Sequence, residues 1–412
     1  MEDVASYTWV PPEYDLSRPP SQSASWKVPS PTLPGNFARS AKWCPDGSAA
    51  LAQCEHREFR LLNPLGEDET TFNPHTFAQP APILDYAWYP TASVTSPATF
   101  CFVASVRETP VKLLDASDGR LRASYRIVDH RERQIAPHSL AFNLSATRLY
   151  CGFEDAIEVF DVAQPGEGTR LHTTPSKKNR DGLKGIISAL AFSPSYESDL
   201  YSAGSLSPTE GGNIAVFSET GGAVPVSFVS GGPAAGVTQL HFNPAQPHIL
   251  YAAFRRRSEI FSWDLRDTTA PLKIYTPPSA NDRETNQKRR FDVDLAGRFL
   301  ALGDQEGRVS VFDLAAEENT PRLTYTAHSD ALGSVSFHPT KPTLLSVSGS
   351  RHFHTDEDEE SSSEDGEDEE DDQGQSGKAA VIRRSVARPT PVPLDASIRV
   401  WDFGPAGSGV VE

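Results

Sequence analysis

The chain has 412 residues, of which 38% are hydrophobic, below the roughly 45–50% usual for globular proteins, while 34 prolines and 28 glycines are spread along its length. Its net charge of −17 speaks against a polyanionic partner, yet thirteen carboxylates crowd between Asp356 and Asp372 with no Lys or Arg among them; setting these aside brings the charge to −4 and reopens that class. The four cysteines, Cys44, Cys54, Cys101 and Cys151, are too few and too widely spaced for a disulfide scaffold, and no apolar run reaches the 18–20 residues of a membrane span.

The opening Met1–Asp15 is acidic and broken by proline, with no apolar signal core, so a reducing intracellular compartment is expected and residues 1–22 read as a flexible tail. Organisation then becomes periodic. An aromatic or apolar residue, usually followed closely by Pro, recurs at Trp43, Trp88, Phe142, Phe192, Phe242, Val293 and Phe337, 44–54 residues apart. Behind each stands a second alternating run: Phe59–Asn63, Val111–Asp115, Ile157–Asp161, Ile214–Ser218, Ile260–Asp264, Val309–Asp313 and Ile398–Asp402, two of them closing on Trp-Asp. Alternation of period two in short β-branched and aromatic runs, bounded by turns such as Asp46-Gly47 and Glu306-Gly307, predicts strands and hairpins. A fixed period slightly longer than a WD repeat predicts an all-β fold, a seven-bladed β-propeller with four antiparallel strands per blade; a pair of β-sandwiches needs no such period.

Closure is the test of that reading, because an open ring leaves strand edges exposed. The last blade supplies strands near Gly333–Phe337, Thr343–Ser348 and Ser397–Asp402, so the fourth is expected from Ser23–Val28, which contains Trp26. Third-strand positions lie 46–57 residues apart until the final gap of 89, which places about 40 extra residues inside blade seven. The expected divisions are therefore 23–350 for the blades up to the middle of blade seven, 351–392 for an acidic disordered insertion, and 393–412 for the final strand and tail.

In a propeller, loops from second to third strands share one face with the loops between blades. The first kind holds Arg107-Glu108, Arg255-Arg256-Arg257 and Arg351-His352-Phe353-His354; the second holds His130-Arg131-Glu132-Arg133 with His138, Lys177-Lys178-Asn179-Arg180, and Arg283 with Lys288-Arg289-Arg290, beside which Asn286 and Gln287 are expected to read base edges. Six basic groups on one face suit a polyanion, and Phe254 and Phe353 among them suit stacking on unpaired bases. The insertion begins on the same face, so its carboxylates are placed to compete for these cations. Signatures of catalysis are missing: no GxxxxGK[ST], GxGxxG, HExxH or GxSxG occurs, and the histidines lack metal-ligand spacing, so neither an enzyme nor a cofactor or metal is expected. Trp263-Asp264-Leu265-Arg266 matches a WDxR adaptor-docking box, which keeps a second class open: a protein-only interaction platform such as a ubiquitin-ligase substrate receptor.

The loops carry a more specific likeness. Asn36-Phe37 with Lys42-Trp43-Cys44-Pro45-Asp46-Gly47-Ser48, Asp85-Tyr86 with Trp88-Tyr89, Arg107-Glu108-Thr109-Pro110, and Leu121-Arg122-Ala123-Ser124-Tyr125 come first. His138-Ser139-Leu140, Cys151-Gly152-Phe153, Gly185-Ile186-Ile187-Ser188 before Ala191-Phe192-Ser193-Pro194, Thr285-Asn286-Gln287, Phe291-Asp292, and Ser348-Gly349 with Arg351 and Phe353 follow. In these motifs, and in its acidic insertion, the chain resembles the telomerase Cajal body protein family of WD-repeat proteins. The resemblance implies a monomeric, non-catalytic RNA-binding scaffold. It implies as partners a small nuclear, small Cajal-body (box H/ACA-type) or telomerase RNA and its ribonucleoprotein proteins, with no membrane and no small-molecule substrate. The implied location is the nucleus, in the Cajal body or its equivalent, with the cytoplasm as a second place.

Overall fold

The computed structural model describes residues 9–28, 32–63, 75–175, 182–207, 212–278, 285–353 and 391–405. The charged insertion expected at 351–392 falls almost wholly outside them. All regular structure among the described residues is strand, in seven four-stranded antiparallel sheets that form a seven-bladed propeller. First strands run Ala38–Trp43, Ile83–Trp88, Ser139–Phe142, Ile187–Phe192, Val237–Phe242, Asp292–Val293 and Leu332–Phe337, so every repeat position read from the sequence is the last residue of a first strand.

The seventh sheet closes the ring as expected. Ser21–Lys27 pairs antiparallel with Ser397–Asp402, Trp26 standing opposite Ile398, and Val28 N–H adds a bond to the Ala396 carbonyl at 2.9 Å. The stretch before it, expected as a tail, also makes contacts. Tyr14 meets Phe299, Phe337 and Phe403 edge to face with ring centroids 5.4–5.8 Å apart, and Asp15 N–H reaches the Phe403 carbonyl at 2.9 Å.

Seven apolar clusters form the core, one at each blade interface, because second and third strands present small and branched side chains to one neighbour and rings to the other. Nearer the axis, polar groups join the blades in sequence. Gln53 Nε2 donates to the Ile83 carbonyl (3.0 Å), Leu140 N–H to Asp85 (2.9 Å), Ser139 Oγ to the Ile187 carbonyl (2.8 Å) and Ser188 Oγ to the Val237 carbonyl (2.6 Å). Gln239 holds both backbone groups of Phe291 (2.8 and 3.1 Å), Arg290 N–H donates to the Gly333 carbonyl (3.0 Å), and Ala41 N–H donates to Ser334 Oγ (2.9 Å). Small hydroxyls at these positions let first strands converge on the axis while satisfying backbone groups that the sheets leave unpaired.

Blade seven carries one further network. Trp401 Nε1 donates to Ser346 Oγ (2.8 Å), which shares a hydrogen bond with His328 Nε2 (2.8 Å), while His328 Nδ1 faces Ser397 Oγ (3.1 Å) and Asp395 (3.4 Å). The Ser-His-Asp order resembles a nucleophile triad, yet Ser346 and the His328 side chain are both 0% exposed, so no substrate reaches them and the network braces the closing sheet.

Candidate functional site

Antiparallel connectivity puts the second-to-third-strand loops and the inter-blade loops at the same end of the ring, and the described basic groups therefore share that end. Lys177, Lys178 and Arg283 lie outside the described residues. The remainder divides into a set at the axis and a set at the rim.

At the axis, Arg107 stands in the tight Arg107–Pro110 turn of blade two, where Glu108 takes a left-handed conformation (φ 60°), and His138 enters blade three. Burial lowers the His138 pKa, helped by the nearby Lys288 and Arg107 charges. Burial likewise lowers that of Lys288, and Arg290, Arg39 and Arg255 add to the effect against Asp85. Arg255 and Lys288 line one small pocket, and the charges of Arg39, Arg107, Arg255 and Lys288, from blades one, two, five and six, bear on Lys288 itself or on His138 of blade three at the same end of the ring.

Beneath them Arg290 Nη2 meets Asp85 Oδ1 at 3.0 Å. Blades two and six are not neighbours in the ring, so this ion pair spans the channel. Lining the same channel is a cavity of about 490 Å³ bordered by Lys42, Trp43, Gln239, His241, Asp292 and Phe337. Lys42 Nζ donates to the Tyr86 carbonyl at 2.9 Å, and burial, with Arg290 close by, lowers its pKa to about 8. Burial raises the Asp292 carboxyl to about 7, although its oxygens accept from Val293 N–H (3.0 Å) and Phe337 N–H (2.8 Å). His241 is pushed down to about 4 by burial and then by Lys42. Sequence reading placed Arg290 among the basic loops and met Lys42 and Asp85 only in the motifs of the family likeness, while it passed over Arg39; the available signal was a charge inside first strands otherwise built from Ala, Ser and rings.

At the rim, Arg133, Arg256 and Arg289 have protein partners. Asp129 accepts from Arg131 N–H (2.8 Å), Arg133 N–H (2.9 Å) and Arg133 Nε (3.0 Å), which holds its carboxyl at about 2, and exposed His130 stands in the same turn. Arg256 Nε donates to Asn286 Oδ1 (2.9 Å), Arg289 Nη2 to the Arg257 carbonyl (3.2 Å) and Gln287 Nε2 to the Gly349 carbonyl (2.8 Å). Asn286 and Gln287, expected as base readers, thus tie loops together. Arg351 pairs with Glu55, which Arg39 also approaches at 3.3 Å.

The two aromatics part company. Phe353 is 58% exposed, whereas Phe254 is 3% exposed and packs against Phe261 and Trp263, so it is a core residue and not a stacking platform. A strand needs an inward ring at that place, and the arginines following it had suggested a surface. The insertion's stems are pinned beside Phe353: His352 and Val392 exchange both backbone hydrogen bonds, and Asp330 accepts from Ser350 and Leu394 N–H at 3.2 and 2.9 Å. Arg266 of the WDxR box forks onto Asp264 at 2.5–3.1 Å.

No family model matches the chain. Over 366 residues it is 34% identical to Telomerase Cajal body protein 1 of Homo sapiens, covering 85% of this chain and 64% of the relative. The protein of the same name from Rattus norvegicus is 34% identical over 82% of this chain and 64% of its own length. Guanine nucleotide-binding protein negative regulator 1 of Schizosaccharomyces pombe is 27% identical over 66% of this chain and 70% of its length. The chain thus spans just under two thirds of the mammalian relatives.

Proposed function

Because the chain belongs to the telomerase Cajal body protein family, we propose that it is a non-catalytic scaffold that binds a small nuclear, small Cajal-body or telomerase RNA at the basic end of its propeller. The nucleus, in the Cajal body or its equivalent, is the corresponding place of action; no relative's name supports the cytoplasm. One observation carries the reading: the basic loops share one end of the ring, where Arg255 and Lys288 line one pocket and the charges of Arg39 and Arg107 bear on Lys288 and His138, in a chain of negative net charge. Folding brings them together from positions 39 to 288, and phosphate is the abundant intracellular group that such an end attracts.

Crosslinking followed by sequencing of co-purified RNA tests this. Enrichment of a small set of nuclear RNAs, with contacts at the mouth, is the expected result. A second reading, a protein-only platform, draws on the fission-yeast relative named as a regulator of a guanine nucleotide-binding protein. Background ribosomal and messenger RNA beside a stoichiometric protein partner would favour it.

A further inference from the structure

Among the described residues, three cations at the mouth have no carboxylate of their own. Glu55 serves Arg39 and Arg351, and Asp85 serves Arg290, but Arg107, Arg255 and Lys288 make no ion pair or side-chain hydrogen bond among the described residues. They come from three separate places: the second-to-third-strand loops of blades two and five, and the segment entering blade six. Elsewhere on this face Asp129 holds Arg133, and loop carbonyls and amides occupy Arg256 and Arg289. Lys288 is half-buried and its ammonium is disfavoured by burial and by three arginines, a repulsion that Asp85 offsets in part and a bound anion relieves further.

We propose that the channel mouth is a phosphate site in which Arg107, Arg255 and Lys288 hold one phosphate or two adjacent ones over the Arg290–Asp85 pair. Arg255 and Lys288 line one small pocket, and Lys288 and Arg107 both act on His138, so the site fits phosphates that are themselves gathered: the backbone at a sharp turn of an RNA loop, or an inorganic polyphosphate. The RNA source rests on the function proposed above; the phosphate chemistry does not.

The test uses the full chain, the triple variant Arg107→Gln, Arg255→Gln, Lys288→Gln, and a rim variant His130→Gln, Arg131→Gln, Arg133→Gln. Probes are inorganic pyrophosphate, followed by thermal melting, and a short RNA hairpin, followed by fluorescence anisotropy. Pyrophosphate should raise the melting midpoint of the wild type and of the rim variant but not of the mouth variant. Without anion the mouth variant should melt no lower than the wild type, and above it at low salt, because repulsion is removed. Hairpin affinity should fall on the order of tenfold in the mouth variant, with a log–log salt slope shallower by about 2, and stay within about twofold in the rim variant. Arg107→Gln alone gives a smaller change of the same sign if the triple variant proves unstable.

Loss of hairpin binding in the rim variant, with affinity and salt slope unchanged in the mouth variant, overturns the site and leaves the RNA reading standing. Pyrophosphate binding that depends on the mouth, with no RNA binding by the wild type, supports the site and removes the RNA reading. Equal responses of wild type and mouth variant to both probes overturn the site outright.

Discussion

Blades five and seven both end their third strand in Trp-Asp, at Trp263-Asp264 and Trp401-Asp402, yet the two tryptophans do different work. Trp401 heads the buried chain through Ser346 and His328 to Asp395, within the sheet whose outer strand comes from the other end of the protein. Trp263 donates to the Ser230 carbonyl at 2.9 Å and otherwise packs in an apolar cluster with Phe254 and Phe261. A motif at the end of one strand acquires its role from what the neighbouring strands place beside it, and a polar brace stands where ring closure depends on a distant segment.

The largest break in this comparison is removal of the closing strand. Deleting residues 1–28 strips Trp26 and Val28 and leaves the Ser397–Asp402 edge unpaired, so size-exclusion and melting experiments should show aggregation or loss of a single cooperative transition. Deleting 1–12 keeps Tyr14 and should leave melting unchanged. Deleting 1–18 removes the Tyr14 ring contacts and should fall between the two.

Next in size is the network itself. His328→Ala leaves Ser346 and Asp395 short of a partner in a dry site and should cost on the order of 2–4 kcal/mol in urea unfolding. Trp263→Phe gives up one hydrogen bond and some packing, about 1–2 kcal/mol.

Acid sharpens the contrast further. The unfolded imidazole binds a proton near pH 6.5, whereas burial depresses the His328 pKa and, in blade five, takes that of His241 to about 4. The unfolded state therefore binds more protons below about pH 6.5, and stability should fall as pH drops from there toward 4, by on the order of 3 kcal/mol for His241 and in the same direction for His328. Asp292, raised to about 7, has the opposite sign: its folded form holds a proton between about 4 and 7, so it favours the folded state on acidification. Urea midpoints across pH 4–8 for His328→Leu, His241→Leu and Asp292→Asn separate the three contributions. At the small end, Arg266→Ala breaks an ion pair in full solvent and should leave the melting midpoint where it was.

The propeller was legible because its strands are marked locally: a large terminal residue with nearby Pro ends most first strands, and a period-two run marks the third. Even the closing strand at Ser21–Lys27 followed from counting, since three strands of a blade demand a fourth. Tyr14 was not legible, because one tyrosine in a proline-broken acidic stretch has no period to announce that three phenylalanines from two blades and the C-terminal segment surround it. Phe254 misled for the converse reason, its charged neighbours belonging to the loop while it ends a buried strand.

For the candidate site, sequence sorted the basic loops onto one face, since connectivity alone settles the face of each loop. It did not separate mouth from rim. That division depends on where carboxylates from remote segments arrive: Asp129 sits four residues from Arg133, whereas Arg351 finds Glu55 and Arg290 finds Asp85 only through the ring. Repeat period, strand order and face are properties of the chain taken in order, and the sequence determined them. Which cations find a carboxylate was decided by the tertiary structure alone, because Coulomb interactions depend on distances in space and a closed ring brings the charges of residues 39 and 255 to bear on Lys288, and those of 107 and 288 on His138.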